Sequence, residues 1–322
     1  MTTTDAFHAV VVGGGPGGLS AALTLGRAGR DTLLLDTGQG RNARAAHVQN
    51  VLGHEGKSPA DLRAAGRREL AAYPTVTVRE VAAEAAKRAD DDTFDVTLAG
   101  GDVVRARQLV LATGVVDELP EIPGVADLWG RSFLHCPYCH GNEQRGRALA
   151  VLGDTPHHAF LATLLRRSYS DDVVLLTDGG EPPVPDVLAE HHVPVHEGAV
   201  AALEGSDGQL ERVIFAGGGT LERHAIFGGA PIRQRSDLAE QLGCALIGHA
   251  GSVEVDDFGH TSVPGVLAVG DMAQRTSMPG PMQAVPFASA AGMLAGVAVD
   301  RALHAEATGL SSGMPGAAAA RA

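Results

Sequence analysis

The sequence predicts an α/β protein of two Rossmann-like (three-layer ββα) nucleotide-binding domains, the first interrupted by the second. Three observations predict it. The apolar run Ala9–Val12 feeds straight into a glycine-rich turn, Gly13-Gly14-Gly15-Pro16-Gly17-Gly18. A linker from Val115 to Gly124, with Pro120 and Pro123, then leads to a second set of buried apolar runs. Finally, the strand-like Val266–Val269 and the helical Pro286–Leu303 read as the closing elements of the first domain. The expected division is 1–117 and 246–322 for the first domain, with a disordered tail from about 308, and 118–245 for the insert.

Composition agrees. The chain has 322 residues, enough for two ordinary cores. It is 44% hydrophobic and 20% charged, the profile of a soluble globular protein. With 42 glycines and only 4% aromatics, it suits tight strand-to-helix turns better than a β-sandwich. A formal net charge of -13 repels phosphate backbones, so nucleic acid is not expected as a partner. There is no export signal ahead of the first strand and no apolar run near the ~20 residues a membrane helix needs, so a cytoplasmic protein without a membrane partner is expected.

In chain order, Leu19–Ala28 reads as a small-residue helix and Thr32–Leu35 as a second buried strand ending at Asp36. Ser58–Ala72 is an amphipathic helix, with Ser58 as cap and Pro59 at its first position. Val76–Glu80, Phe94–Leu98 and Val103–Arg107 form a three-stranded meander, and Gln108–Leu111 is a separate buried strand closed by Ala112-Thr113-Gly114. In the insert, Ala148–Leu152 and Val173–Leu176 are buried strands with a helix between, and Ile226–Gly229 begins the return.

The first turn has chemical meaning. Gly13 makes the tight turn, Gly15 lets backbone approach a pyrophosphate, and Gly18 lets the helix pack on the strand. With Pro16 and Gly17, these residues open a helix whose amides hold phosphates. Asp36 stands where an acid bonds a ribose hydroxyl. The motif alone does not separate FAD from NAD. Ala112-Thr113-Gly114 after a β-meander, and Asp271 after Val269-Gly270, favour FAD.

Cys136-Pro137-Tyr138-Cys139-His140 is the chemical centre. Two intervening residues let both sulfurs meet in one turn, and a helix start beside them lowers a thiolate pKa. A structural zinc site would need four ligands, and Cys244 is isolated, so no metal is expected. CxxCH is also the c-type haem pattern, but that chemistry goes with export. A purely structural pair is the third competitor. Cys244 itself reads as a small buried hydrophobe.

These features in this order resemble the low-molecular-weight thioredoxin reductases. The resemblance is carried by VVGGGPGGLSAA, RNARAAHVQNVLG, LVLATG, CPYCHG and LAVGDM…MQAVPFASAAG, and spans nearly the whole chain. It implies FAD, a homodimer, Cys139 as the sulfur facing the flavin and Cys136 as the one exchanging with substrate. It also implies cofactor contacts from Arg41, Arg44, His47, Asn50, Gly270, Asp271, Gln283 and Ala284.

Two departures stand out. The family has an acid after its second cysteine; this chain has His140, which can move protons near neutral pH. The family also has a second glycine turn for NADPH. Here the matching stretch is Gly153-Asp154-Thr155-Pro156-His157-His158, with His158 where a small residue belongs. The phosphate-binding cluster after the next strand is replaced by Thr177-Asp178-Gly179-Gly180, and an Asp repels a phosphate. Arg166 and Arg167 lie nearby on a helix, as a solvated face. The pattern resembles the thioredoxin-reductase-like dithiol oxidases. That branch implies a small dithiol substrate of dithiolopyrrolone (holomycin) or gliotoxin type and O2 as acceptor. A reductase fed by NAD(P)H or ferredoxin, and a non-catalytic flavin-bound redox sensor, are the alternatives.

Overall fold

The computed structural model describes residues Ala6 to Leu310; the tail expected to be disordered lies, past Leu310, outside the described residues. The chain forms two compact units. Unit 1 is Met1–Ala43, Pro59–Val116 and Ile232–Ala322; unit 2 is Arg44–Ser58 and Asp117–Pro231.

Unit 1 is built on β1 (Ala6–Val12), which continues through the glycine turn into α1 (Pro16–Arg27) and β2 (Thr32–Leu35). There follow α2 (Pro59–Leu70), β3 (Val76–Arg79), β4 (Ala83–Arg88), β5 (Phe94–Leu98) and β6 (Val103–Leu111). The sheet order is β3-β2-β1-β6-β5-β4. β1 is central and parallel to both neighbours, with Val10 opposite Leu33 and Leu109. Successive side chains alternate between two cores. Val10, Val12, Leu33 and Leu109 face the side shared with the meander. Ala9, Val11, Leu34 and Val110 face α1 and the closing helix, Val285–Thr308.

That closing helix lies on α1 through glycine. A β-carbon at Gly292 would stand 2.0 Å from the Gly17 carbonyl oxygen, and one at Gly296 would stand 2.7 Å from Thr24 Cβ. The small-residue composition of both helices is what allows their backbones to meet.

Unit 2 has three layers. Its parallel sheet is ordered Val195–His196, Val173–Leu176, Leu149–Leu152, Ala225–Gly228, Phe133–Leu134. The helix Pro156–Ser168 seals one face through Ala159, Ala162 and Leu165. An antiparallel sheet of Val200–Ser206, Gln209–Phe215 and Thr220–Glu222 seals the other through Leu203, Val213 and Phe215.

Three expectations are corrected. Val76–Glu80 is not in the meander: β3 pairs in parallel with β2, Thr32 opposite Val76. The third meander strand is β4, antiparallel to β5. Its sequence, AEAAKR, is made of helix formers, and only Ala86 enters the core, so pairing overrides propensity. Val103–Arg107 and Gln108–Leu111 are one strand. The first half of β6 pairs with β5, and the second half with Val266–Ala268. Residues 232–245, read as part of the insert, group with unit 1. The reason is burial: Leu238, Ala239 and Cys244 complete the same core as Val10 and Leu109.

No helix among the described residues is long and apolar enough to cross a membrane. Gly292→Val should destabilise the protein by about 2–3 kcal/mol through overpacking against α1, whereas Gly280→Ala, whose β-carbon would meet nothing within 4 Å, should be near neutral. Thermal unfolding of the two variants against the parent checks this.

Candidate active site

The β1–α1 turn is shaped by backbone meeting backbone. Gly13 has φ 115°, its N–H donates to the Leu35 carbonyl at 2.8 Å, and a β-carbon there would lie 2.2 Å from the Ala112 carbonyl oxygen. A β-carbon at Gly18 would lie 1.8 Å from the Gly13 carbonyl oxygen, and one at Gly17 would crowd Val269 and Ala288. Gly15 is different. It is the N-cap of α1, Pro16 follows at the first helical position, and a β-carbon on Gly15 would meet nothing within 4 Å. The helix start is therefore open on one side and closed on the others, which fits a dinucleotide's pyrophosphate.

Asp36 ends β2 and packs against Gly14: a β-carbon at Gly14 would lie 2.2 Å from the Asp36 carboxyl. Its Oδ1 accepts from the Gly38 N–H at 2.9 Å and its Oδ2 from Arg67. Burial pushes this carboxyl up, but the Arg67 guanidinium and the amides of Gly38 and Gly14 outweigh it and hold it below the usual carboxylate range. Sequence reasoning missed Arg67. The only signal was its place in the last turn of an amphipathic helix.

The remaining unit 1 candidates converge from distant parts of the chain. Arg41 Nη1 donates to Asp271 Oδ2 at 2.9 Å across 230 residues of sequence. Gly270, with φ 77°, begins the short turn that carries Asp271. Ala112 is anchored by its N–H to the Val12 carbonyl at 2.8 Å. Thr113 Oγ1 donates to Met272 Sδ at 3.3 Å. Gly114 takes φ 71°. Gln283 and Ala284 lead into the closing helix, with Ala284 as its N-cap. These residues fit FAD. The other candidates, Arg44, His47 and Asn50, group with unit 2. There Arg44 donates to the Ala126 carbonyl, His47 is exposed, and Asn50 is left-handed at φ 64°.

Unit 2 holds the sulfurs. Cys136 and Cys139 form a disulfide with their Cα atoms 5.3 Å apart. Cys136 is the N-cap of the single helical turn Pro137–His140, and its Sγ accepts from the Cys139 N–H at 3.1 Å. Gly141 ends the turn because a β-carbon there would lie 2.5 Å from the Pro137 carbonyl oxygen and 2.9 Å from the Tyr169 ring. Both cysteines are half-buried, and Tyr138 between them is exposed. Burial pulls the His140 imidazole below its usual value, and Glu143 only partly offsets this. Burial thus favours the neutral form of His140. Cys244 is buried, as read, with its thiol pushed up by burial.

The second turn is filled by protein. Gly153 has φ 139°, and a β-carbon on it would stand 2.3 Å from the His158 ring. The imidazole Nδ1 accepts from the Thr155 N–H at 3.3 Å and lies 2.7 Å from Thr155 Oγ1. His158 therefore caps its own helix in the space a pyrophosphate would take. Asp178 Oδ1 accepts from the Val200 N–H at 2.6 Å, and Arg166 pairs with Asp171 at 2.6 Å, so neither presents a phosphate clamp. These residues do not fit NAD(P)H.

Comparison with known proteins places this geometry. The family model described as pyridine nucleotide-disulphide oxidoreductase matches residues 7–293. The chain is 33% identical to the thioredoxin reductase tcpT of Claviceps purpurea, over 98% of this chain and 100% of that one. The crystal structure of HlmI superposes with a TM-score of 0.86 at 39% identity, covering 94% of each chain. That of the putative thioredoxin reductase TrxB from Bacillus anthracis also gives 0.86, at 29% identity over 94% of this chain and 99% of that one. The chain belongs to the pyridine nucleotide-disulphide oxidoreductase family, as an FAD-dependent thiol–disulfide oxidoreductase of thioredoxin reductase type.

Proposed function

We propose that the protein is a homodimeric, FAD-dependent dithiol oxidase that closes an intramolecular disulfide in a small dithiol natural product of dithiolopyrrolone (holomycin-like) type. The observation that carries this reading is the contrast between its two turns. The first is open at Gly15; the second is plugged by His158, while the cysteine pair is intact. A chain with a disulfide and a flavin turn but no seat for a nicotinamide donor draws its electrons from thiols.

A substrate thiolate attacks Cys136 Sγ, the Cys136–Cys139 bond breaks, and Cys139 leaves as thiolate. His140, whose neutral form burial favours, takes the proton of the second substrate thiol. That sulfur attacks the substrate sulfur bonded to Cys136, closing the product disulfide and releasing Cys136 as thiolate. The Cys139 N–H already aimed at Cys136 Sγ stabilises the charge left there. Two substrate S–H groups are oxidised and the cysteine pair is reduced. Asp36, Arg41, Asp271 and the Gly13–Gly18 turn would hold FAD, which when bound would supply a two-electron acceptor for the reduced pair, with O2 as the proposed final oxidant and hydrogen peroxide as its product.

The alternative is a disulfide reductase fed by NAD(P)H or ferredoxin; the thioredoxin reductase names of relatives favour it. Anaerobic mixing separates the two. A small dithiol should bleach the flavin and air restore it, with no bleaching by NADPH; rapid bleaching by NADPH would make the protein a reductase. Cys136→Ser should lose turnover yet purify with FAD, checked by visible absorbance. His140→Gln should lower kcat about a hundredfold. It should also remove an acid limb of the kcat profile lying below pH ~6.5, since the base is protonated, and lost, as pH falls through its lowered value.

A further inference from the structure

Helix α2 carries two arginines that the thiol chemistry does not use. Arg63 and Arg67 stand four residues apart and so share a face. The helix can lie close on α1 because residue 66 is glycine: a β-carbon there would stand 3.0 Å from Leu19 Cδ1. From that seat Arg67 forks, Nη2 donating to Asp36 Oδ2 and Nη1 to Glu80 Oε1. Arg63 Nη1 donates to the Gly38 carbonyl at 2.7 Å, and the Gly38 N–H is the one that reaches Asp36 Oδ1. The Arg63 guanidinium passes so close to Gly40 that a β-carbon on it would lie 2.9 Å from Nη1. One helix thus grips both the carboxylate at the end of β2 and the turn that donates to it.

This grip is more than packing. Pro59 and Leu70 are the buried residues of α2, and its side toward the end of β2 is given to guanidinium groups instead of apolar ones. The Asp36 side chain is 8% exposed, against 30% for Arg67, so the pair is better shielded than an ordinary surface bridge. A carboxylate this covered stays ionised only with a cation and donors on it. The charged groups about Asp36 are Arg67 from α2, Glu80 beyond β3, itself held by Arg67, and Arg79 at the end of β3, whose carbonyl accepts the Asp36 N–H at 3.1 Å. The glycine turn ahead of α1 brings the Gly14 amide and no titratable side chain.

We infer that Arg63 and Arg67 are positioning residues that set the choice of FAD over FMN, by holding Asp36 and the Gly38 turn in the arrangement that accepts hydroxyl hydrogens from the adenosine half of FAD. FMN has no adenosine and gains nothing from this bracket. An ionised carboxylate offers acceptors only, and with Arg67 and Gly38 already on it, its remaining lone pairs are the ones left to a ribose diol. Lysine does not replace Arg67, since an ammonium is a point charge without the planar fork that spans two carboxylates. The bracket rests on FAD lying at the first turn and is indifferent to the direction of electron flow, so it does not stand or fall with the oxidase reading.

The full-length, FAD-loaded protein is equilibrated with mixtures of FAD and FMN, and the bound flavins are released by heat and quantified. The parent should hold FAD in strong preference. In Arg67→Met that preference should fall about tenfold or more, and in Arg67→Lys and Arg63→Met by less. The gap between the parent and Arg67→Met should widen as pH falls from about 8 to about 5: burial without the guanidinium raises the Asp36 carboxyl, and its acceptor form is lost as pH falls through the raised value. A general loosening of the fold would weaken both flavins and leave their ratio and its pH dependence as in the parent. An unchanged ratio in the three variants therefore overturns the bracket, as does an Arg67→Met protein that holds neither flavin while Arg67→Lys and Arg63→Met keep the parent's ratio. A shifted ratio in a protein whose flavin no dithiol bleaches keeps the bracket and removes the oxidase.

Discussion

Unit 1 depends on a place where no side chain fits. At the β1–α1 turn the Gly18 α-carbon rests on the Gly13 carbonyl and Gly13 rests on Ala112, so strand, helix and the next strand share one backbone-lined corner. Because α1 enters at that corner, the closing helix can lie on it through Gly292, and Val269 is drawn in over Gly17. The same geometry that packs the helix leaves open space beside Gly15 at its start, where the first amides of a helix lack intrahelical partners. Packing and cofactor recognition are here one constraint, which is why the glycines cannot be traded for stability.

Much of this was legible in the sequence because the local signals are strong. Buried strands feeding glycine, an acid at the end of the second strand and a CxxC pair are short-range patterns with mechanical causes, and β1, α1, β2 and the turn at Cys136 all form as read. What stayed hidden was decided at long range. β4 is a strand only because β5 offers it hydrogen bonds, and its alanines and lysine carry no β signature. The parallel placement of β3 beside β2 is likewise a pairing choice. The return at Ile232 was invisible because Leu238 and Cys244 look alike in either core. At the site, Asp36 could be read, whereas its partner Arg67, 31 residues away, could not.

The second turn keeps its fold while its own side chain fills the space at the helix start. Leu149–Leu152, the turn at Gly153 and the helix Pro156–Ser168 preserve the strand-turn-helix frame. The sequence marked His158 as an obstacle to close helix approach. In the structure it does more: its Nδ1 accepts from the N-cap Thr155 N–H, so that amide already has a partner. An anion entering there would have to displace a bonded ring.

That plug has a consequence for the cell on the proposed reading. A thioredoxin reductase is geared to the pyridine nucleotide pool, and its flux follows metabolic state. With His158 in the Gly153 turn, the disulfide at Cys136 is uncoupled from that pool. Aeration and the supply of reduced thiol then set its pace. The fold would work as a sink for reducing equivalents, safe only where its thiol fuel is made to order.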